Sequence, residues 1–177
     1  MTYYKTPHYD FQRPPELDGT KSIHQVAIIG AGPVGLTCAL ELAKHGVGSV
    51  IIDPKNTVCE GSRAVCLARR SMEILQHIDA VTPFVKKSLP WTRGRSFYRD
   101  KLVYQLEMPH SEHERFFPMH NLQQHWMEEY LVNSVTSCDR IELRWQSELV
   151  GITQHVDRAE LEVKTPDGTY RTAARYV

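Results

Sequence analysis

The ten residues from Val26 to Gly35, reading Val-Ala-Ile-Ile-Gly-Ala-Gly-Pro-Val-Gly, restrict the fold of this chain more than any other stretch. An apolar run, a glycine-rich turn and a segment with helical periodicity follow one another directly. They read as a buried strand, a tight turn and the first turn of a helix. Gly30 stands where the chain must turn off the strand, Gly32 where backbone must approach a pyrophosphate, and Gly35 where the helix must pack close to the strand. Pro33 and Val34 open a helix expected over roughly 33–45, whose unpaired N–H groups and dipole favour an anion. Leu36, Leu40 and Ala43 recur at helical spacing, and Gly46 is placed as a stop. A second apolar strand, Ser49 to Ile52, ends in Asp53, 23 residues beyond Gly30. That is close to the spacing from which an acid accepts hydrogen bonds from a ribose diol. A glycine signature alone is weak, since loops tolerate glycine. The order strand, glycines, helix, strand, acid favours a dinucleotide cradle over a structural loop with an ordinary strand-end aspartate.

With 177 residues the chain is long enough for one domain with a sizeable core, or for part of a larger one. Lys plus Arg equals Asp plus Glu at 21 each, so no basic field points to nucleic acid. The four cysteines, Cys38, Cys59, Cys66 and Cys138, contain no C-x-x-C pair and fit a reduced, cytoplasmic protein better than a disulfide framework or zinc site. The start, Met-Thr-Tyr-Tyr-Lys-Thr-Pro-His, lacks the apolar run of a secretory signal. The most apolar stretch, Val26 to Ala43, carries glycines, a proline and Glu41, which argues against a membrane span.

Residues 1–22 are polar and proline-bearing and are expected to form an irregular arm, with residues 23–177 making the nucleotide-binding part. A helix is expected from about Leu67 to Ile78, and irregular chain over 79–93, where Pro83 and Pro90 act as breakers. Ser96 to Tyr98 and Leu102 to Leu106 read as a hairpin, within an excursion over 91–118 towards a second, substrate-side sheet. Asn121 to Val135 reads as helix, with Trp126, Tyr130, Leu131 and Val135 on one side, and Ile141 to Trp145 as a third core strand. Three further runs, 148–155, 159–164 and 169–177, are separated by turn signals at Asp157-Arg158 and Pro166-Asp167-Gly168, which predicts an antiparallel meander. The fold class expected is α/β: a Rossmann-like βαβ core with a meander and the start of a substrate-side sheet. The chain stops at Ala-Arg-Tyr-Val inside a strand-like run, so it is expected to be the N-terminal part of a longer protein.

In this order the segments resemble the FAD-dependent aromatic hydroxylases, the class A flavoprotein monooxygenases related to p-hydroxybenzoate and 3-(3-hydroxyphenyl)propionate hydroxylases. The resemblance rests on residues 26–36, on Val-Ile-Ile-Asp at 50–53, on Glu-Gly-Ser-Arg-Ala-Val at 60–65, and on Asn-Leu-Gln-Gln-His-Trp-Met-Glu-Glu-Tyr-Leu at 121–131. It implies that Gly30, Gly32 and Gly35, with Pro33 and Val34 in the same turn, face the FAD pyrophosphate. It implies that Asp53 holds the adenosine ribose, where the family more often has glutamate. Arg63 would lie near the flavin, and Gln124 would contact the ribityl or phosphate region, with Gln123 a competitor for that role. FAD is the implied cofactor, NAD(P)H the electron donor and a small aromatic, phenolic compound the substrate; the flavin carries the chemistry, and no residue of this segment is assigned as catalytic.

The resemblance also implies a later Asp-Gly segment and a Gly-Asp segment that this chain does not contain. What remains has the parts for the ADP half of FAD without enclosing the flavin ring, so the chain alone is expected to be a poor cofactor binder and inactive as a catalyst. Alternatives are another FAD-dependent oxidoreductase such as a halogenase or reductase, a truncated non-catalytic remnant, and an NAD-only dehydrogenase. The last of these would not predict the Gly-Ser-Arg-Ala segment. His110, His113, His120 and His125 cluster with Glu112 and Glu114, yet their spacing matches no zinc pattern and no metal is assigned. Trp91, Phe97, Tyr98 and Tyr104 are read as packing of a small sheet ahead of a substrate pocket. Oligomeric state is left open, a homo-oligomer included.

Overall fold

The computed structural model describes residues 4–61 and 63–177. Met1, Thr2, Tyr3 and Ser62, the serine of the Gly-Ser-Arg-Ala segment, lie outside the described residues. In chain order the elements are a 3-10 turn at Pro15–Asp18, β1 (Ile23–Ile29), α1 (Pro33–Lys44), β2 (Ser49–Ile52), β3 (Cys66–Ala68), α2 (Arg69–His77), α3 (Val81–Lys87) and β4 (Leu89–Trp91). They continue with β5 (Arg93–Tyr98), β6 (Lys101–Glu107), β7 (Met119–Asn121), α4 (Gln124–Thr136), β8 (Ile141–Arg144), β9 (Glu148–Gln154), β10 (Ala159–Thr165) and β11 (Gly168–Tyr176). The chain divides into two units, one of residues 1–61 with 128–177 and one of residues 62–127. The excursion anticipated over 91–118 falls inside the second.

In the first unit six strands form one sheet in the order β8-β2-β1-β11-β10-β9. β8, β2, β1 and β11 run parallel, while β11, β10 and β9 form the antiparallel meander that the turn signals predict. Its tightest turn is at Pro166-Asp167, between the paired Thr165 and Gly168, with the Thr165 hydroxyl donating to the Gly168 carbonyl at 2.8 Å. Ala27, Val50 and Ile52 of the parallel strands pack with Leu161, Val163, Tyr170 and Ala174 of the meander in one buried cluster. Every residue of β2 is buried, as the apolar run Val50–Ile52 implies, the polar Ser49 included. β1 departs from the expected buried strand: Ala27 is buried but Ile29, at the strand's end, is exposed.

Helix α1 lays Leu36, Ala39 and Leu40 against β1, β2 and β8. A fully buried leucine such as Leu36 stabilises this contact by about 1.5–3 kcal/mol. The helix ends as the sequence predicts, with the Gly46 N–H donating to the Ala43 carbonyl and the Val47 N–H to that of Leu42, the double bond of a Schellman cap. In α4 the buried apolar side chains are Met127, Leu131, Val132 and Val135. Trp126 and Tyr130, expected in that stripe, are only half-buried.

The second unit departs most from its sequence reading. Residues 79–93 are not irregular: Pro83 sits in the first turn of α3, where the N–H it lacks would have had no helical partner. Pro90 lies in β4, an edge strand of the small sheet β3-β7-β4, where a missing donor is tolerated. Leu67, Ala68 and Asn121, expected as the starts of helices, instead lie in the strands Cys66–Ala68 and Met119–Asn121, which pair antiparallel with each other, so α2 and α4 begin two to three residues late. The hairpin β5–β6 turns at Arg99-Asp100 as predicted and is longer than expected. Phe97, Tyr98 and Tyr104 are exposed on it rather than packed, while the half-buried Trp91 donates its indole N–H to the Asn121 side-chain oxygen at 2.8 Å.

Candidate cofactor site

The glycine turn is built from three backbone constraints. Gly30 takes φ +107°, a left-handed conformation that a side chain would strain, and its N–H is fixed by the Ile52 carbonyl at 2.8 Å. At Gly35 a Cβ would stand 2.2 Å from the Gly30 carbonyl oxygen and 3.1 Å from Ile28 Cγ2, so only glycine lets α1 approach the strand this closely. Around Gly32 a Cβ would meet no atom within 4 Å. That open space lies at the N-cap of α1, where Pro33 begins the helix and Val34 is 82% exposed.

Asp53 adds a contact that spacing alone did not reveal. It is buried, and one carboxylate oxygen accepts the Ala31 N–H at 2.7 Å, inside the glycine turn. The other accepts the Lys55 N–H at 2.9 Å. The aspartate therefore braces the turn. A carboxylate has about four acceptor positions, so two such bonds leave capacity for a sugar hydroxyl. Its backbone is held as well, the N–H by the Arg144 carbonyl at 3.0 Å and the C=O by the Ser147 N–H at 2.9 Å. These residues fit a dinucleotide diphosphate: a cleared backbone approach, a helix N-terminus and a buried acid ordered against the same turn.

Arg63 and Gln124 belong to the second unit. Gln124 is the first residue of α4, and its side-chain oxygen accepts the Ala64 N–H at 3.3 Å, which ties it to the residue beside Arg63. Arg63 itself is exposed. Gln123 precedes the helix and serves it with its backbone, the carbonyl accepting the N–H groups of Trp126 at 3.1 Å and Met127 at 3.3 Å. The structure thus brings Gly30, Gly32, Gly35 and Asp53 together in one unit, and Gln124 to the Arg63 segment in the other.

Sequence reasoning missed Glu128, a buried acid whose carboxylate accepts the Cys59 N–H at 2.5 Å and pins the loop after β2. Its position on the buried side of α4, next to Met127 and four residues before Val132, was the available signal. The histidine group resolves into separate contacts. His110 pairs with Glu114 at 3.3 Å and stacks on Phe117, and Glu114 also binds Arg69. His120 is buried against Ser88, whose hydroxyl lies 2.9 Å from its Nδ1, and burial holds its pKa below the ordinary value.

A cleft of about 790 Å³ takes in His24, Ser49 and Ile141 at the starts of β1, β2 and β8. Those are the opposite strand ends from the glycine turn, so the cleft takes no part in the cradle. Among the described residues no helix is long and apolar enough to cross a membrane.

Comparison with known proteins agrees with this geometry. The chain is 30% identical over 153 residues to a 3-(3-hydroxy-phenyl)propionate/3-hydroxycinnamic acid hydroxylase of Mycolicibacterium smegmatis, covering 86% of this chain and 27% of that protein. It is 22% identical over 163 residues to a para-nitrophenol 4-monooxygenase of Pseudomonas, covering 89% of this chain and 40% of that protein. The chain thus spans only a quarter to two fifths of the length of these relatives. It shares its fold with a p-nitrophenol 4-monooxygenase of Pseudomonas putida, at a TM-score of 0.81 and 22% identity over 89% of this chain and 40% of the other. The rebeccamycin biosynthetic enzyme RebC with reduced flavin gives 0.74 and 24% over 89% and 32%. The family model described as FAD binding domain matches residues 24–177, and the chain belongs to that family.

Proposed function

We propose that this chain is the FAD-binding part of a flavin-dependent monooxygenase that hydroxylates a phenolic ring at the expense of NAD(P)H and O2. The observation that carries the reading is the Asp53 carboxylate ordered onto the glycine turn, beside the cleared approach at Gly32. Relatives named as hydroxylases and monooxygenases of phenolic compounds supply the substrate class. FAD supplies the electron transfer and the activation of oxygen when it is bound. The chain's own residues bind and orient. The backbone from Gly30 through Gly35, with Pro33 and Val34 opening α1, receives the pyrophosphate, and the spare acceptor positions of Asp53 take the ribose hydroxyls. Arg63 offers a forked, permanently charged donor set for phosphate or for negative charge on the flavin. Gln124, whose side-chain oxygen accepts the Ala64 N–H, is the residue assigned to contact the ribityl or phosphate region. Four free cysteines support a reducing, cytoplasmic setting.

The test is made on the protein that contains this chain together with its remaining domains. Phenol-stimulated NAD(P)H oxidation, matched by O2 uptake and by a product heavier by one oxygen atom, supports the proposal. FAD-dependent turnover of an aromatic compound without oxygen incorporation contradicts it.

A further inference from the structure

The arm expected to be an irregular wrapping grips the chain on both sides of Asp53. On the preceding side the grip runs through Arg144, whose carbonyl holds the Asp53 N–H. The Arg144 side chain is 3% exposed and all three of its guanidinium nitrogens are engaged. Nη2 donates to Glu16 Oε1 at 3.1 Å, Nη1 to the Tyr170 hydroxyl at 2.9 Å and Nε to Glu142 at 2.7 Å. Glu16 comes from the 3-10 turn of the arm, its side chain fully buried, and its Oε1 also accepts the Thr172 hydroxyl at 3.2 Å and lies 3.4 Å from His24 Nε2. On the following side the Tyr9 N–H donates to the Asn56 carbonyl at 2.8 Å and the Thr57 hydroxyl to the Pro7 carbonyl at 2.7 Å. The Tyr9 ring stacks on Trp145, centroids 4.7 Å apart and planes within 3°.

A buried ion pair contributes little net stability, because desolvation of both charges offsets their attraction. What the Glu16–Arg144 pair supplies is a fixed geometry within a buried hydrogen-bonded network that also takes in Tyr170 and Thr172. We propose that residues 7–16 of the arm are a positioning element for the cofactor site, holding Asp53 in the rotamer and depth at which its carboxylate meets the Ala31 N–H. This rests on the FAD reading above, in which Asp53 also receives the ribose. The arm residues are positioning residues: they act on the site only through Asp53 and residues 55–57.

The test is site-resolved amide hydrogen exchange on the 177-residue chain without ligand, in Glu16→Gln and Thr57→Val, followed by FAD titration. Loss of one net hydrogen bond corresponds to about 3- to 10-fold in an equilibrium constant. The amides of Ala31 and Lys55 are expected to exchange faster by about that factor, while those of Val50 to Ile52 keep their protection. FAD binding weakens by a similar factor, and Thr57→Ser, which restores the hydroxyl, restores both readouts. Unchanged exchange at Ala31 and Lys55, or an equal acceleration across the whole sheet, overturns the proposal. Should Glu16→Gln fail to fold, Thr57→Val and Tyr9→Leu carry the same readout. A wild-type chain that ignores FAD while the exchange pattern changes as expected defeats the cofactor reading and leaves the positioning of Asp53 intact.

Discussion

Gly35→Ala separates the structural glycine from the ligand-facing one. The added methyl would lie 2.2 Å from the Gly30 carbonyl oxygen, a backbone atom in the turn itself, so the helix must retreat by about 0.8 Å to reach even 3.0 Å. Two effects oppose each other. Alanine is a better helix residue than glycine by about 1 kcal/mol. Forcing a methyl group into a packed contact costs about 1–3 kcal/mol, and the upper end applies where the obstacle is backbone and cannot rotate away. The clash wins, and a net loss of about 2 kcal/mol is expected, or about 4–8 °C in Tm for a chain of this size. Gly32→Ala is the control. Its φ of −82° and ψ of 177° suit any residue, and its methyl would meet nothing within 4 Å. The poorer N-cap and the stiffer unfolded chain nearly cancel, so stability changes by less than about 0.5 kcal/mol. The methyl occupies the approach to the pyrophosphate, and FAD binding is lost instead. Thermal and urea unfolding followed by far-UV circular dichroism, with flavin titration alongside, read both effects. Gly35→Ala as stable as wild type, or Gly32→Ala destabilised as much as Gly35→Ala, refutes the reasoning.

Asp53→Asn replaces one of two acceptors with a donor that faces a backbone N–H, so a loss of about 1–3 kcal/mol is expected in urea unfolding together with weaker FAD binding. Gln124→Leu removes an acceptor from the exposed Ala64 N–H, which water then satisfies; stability should move by less than about 0.5 kcal/mol while FAD affinity falls, read by flavin fluorescence. Burial holds the His120 pKa below the ordinary imidazole value of about 6.5, so the folded state binds fewer protons than the unfolded one. The stability this contributes is fully present above about pH 6.5 and declines as pH falls from there towards the folded pKa. Tm measured across that window should fall less in His120→Gln than in wild type.

The glycine turn, its helix and the following strand were legible because each rests on local chemistry: a positive φ at Gly30, a close approach at Gly35, a cap at Gly46 and an apolar run in β2. The meander was legible for the same reason, its turns marked by Pro166-Asp167-Gly168 and Asp157-Arg158. What escaped was set by partners distant in sequence. Three-residue strands such as Cys66–Ala68 carry no periodicity of their own and exist only through pairing with Met119–Asn121. Pro83 reads as a breaker until its place in a first turn is known. The burial of Glu16, an acid in a polar arm, depends on Arg144, 128 residues away, and no local pattern announces it. The ribose-side aspartate was found by spacing, but its grip on Ala31 was visible only in three dimensions.

The measurement that tests the account most directly is calorimetric titration of the 177-residue chain with FAD, with ADP as competitor, NAD as the rival ligand and Gly32→Val as the control. The account predicts saturable FAD binding that ADP displaces and that Gly32→Val abolishes without loss of cooperative unfolding. A cooperatively folded chain that binds NAD and ignores FAD would contradict it.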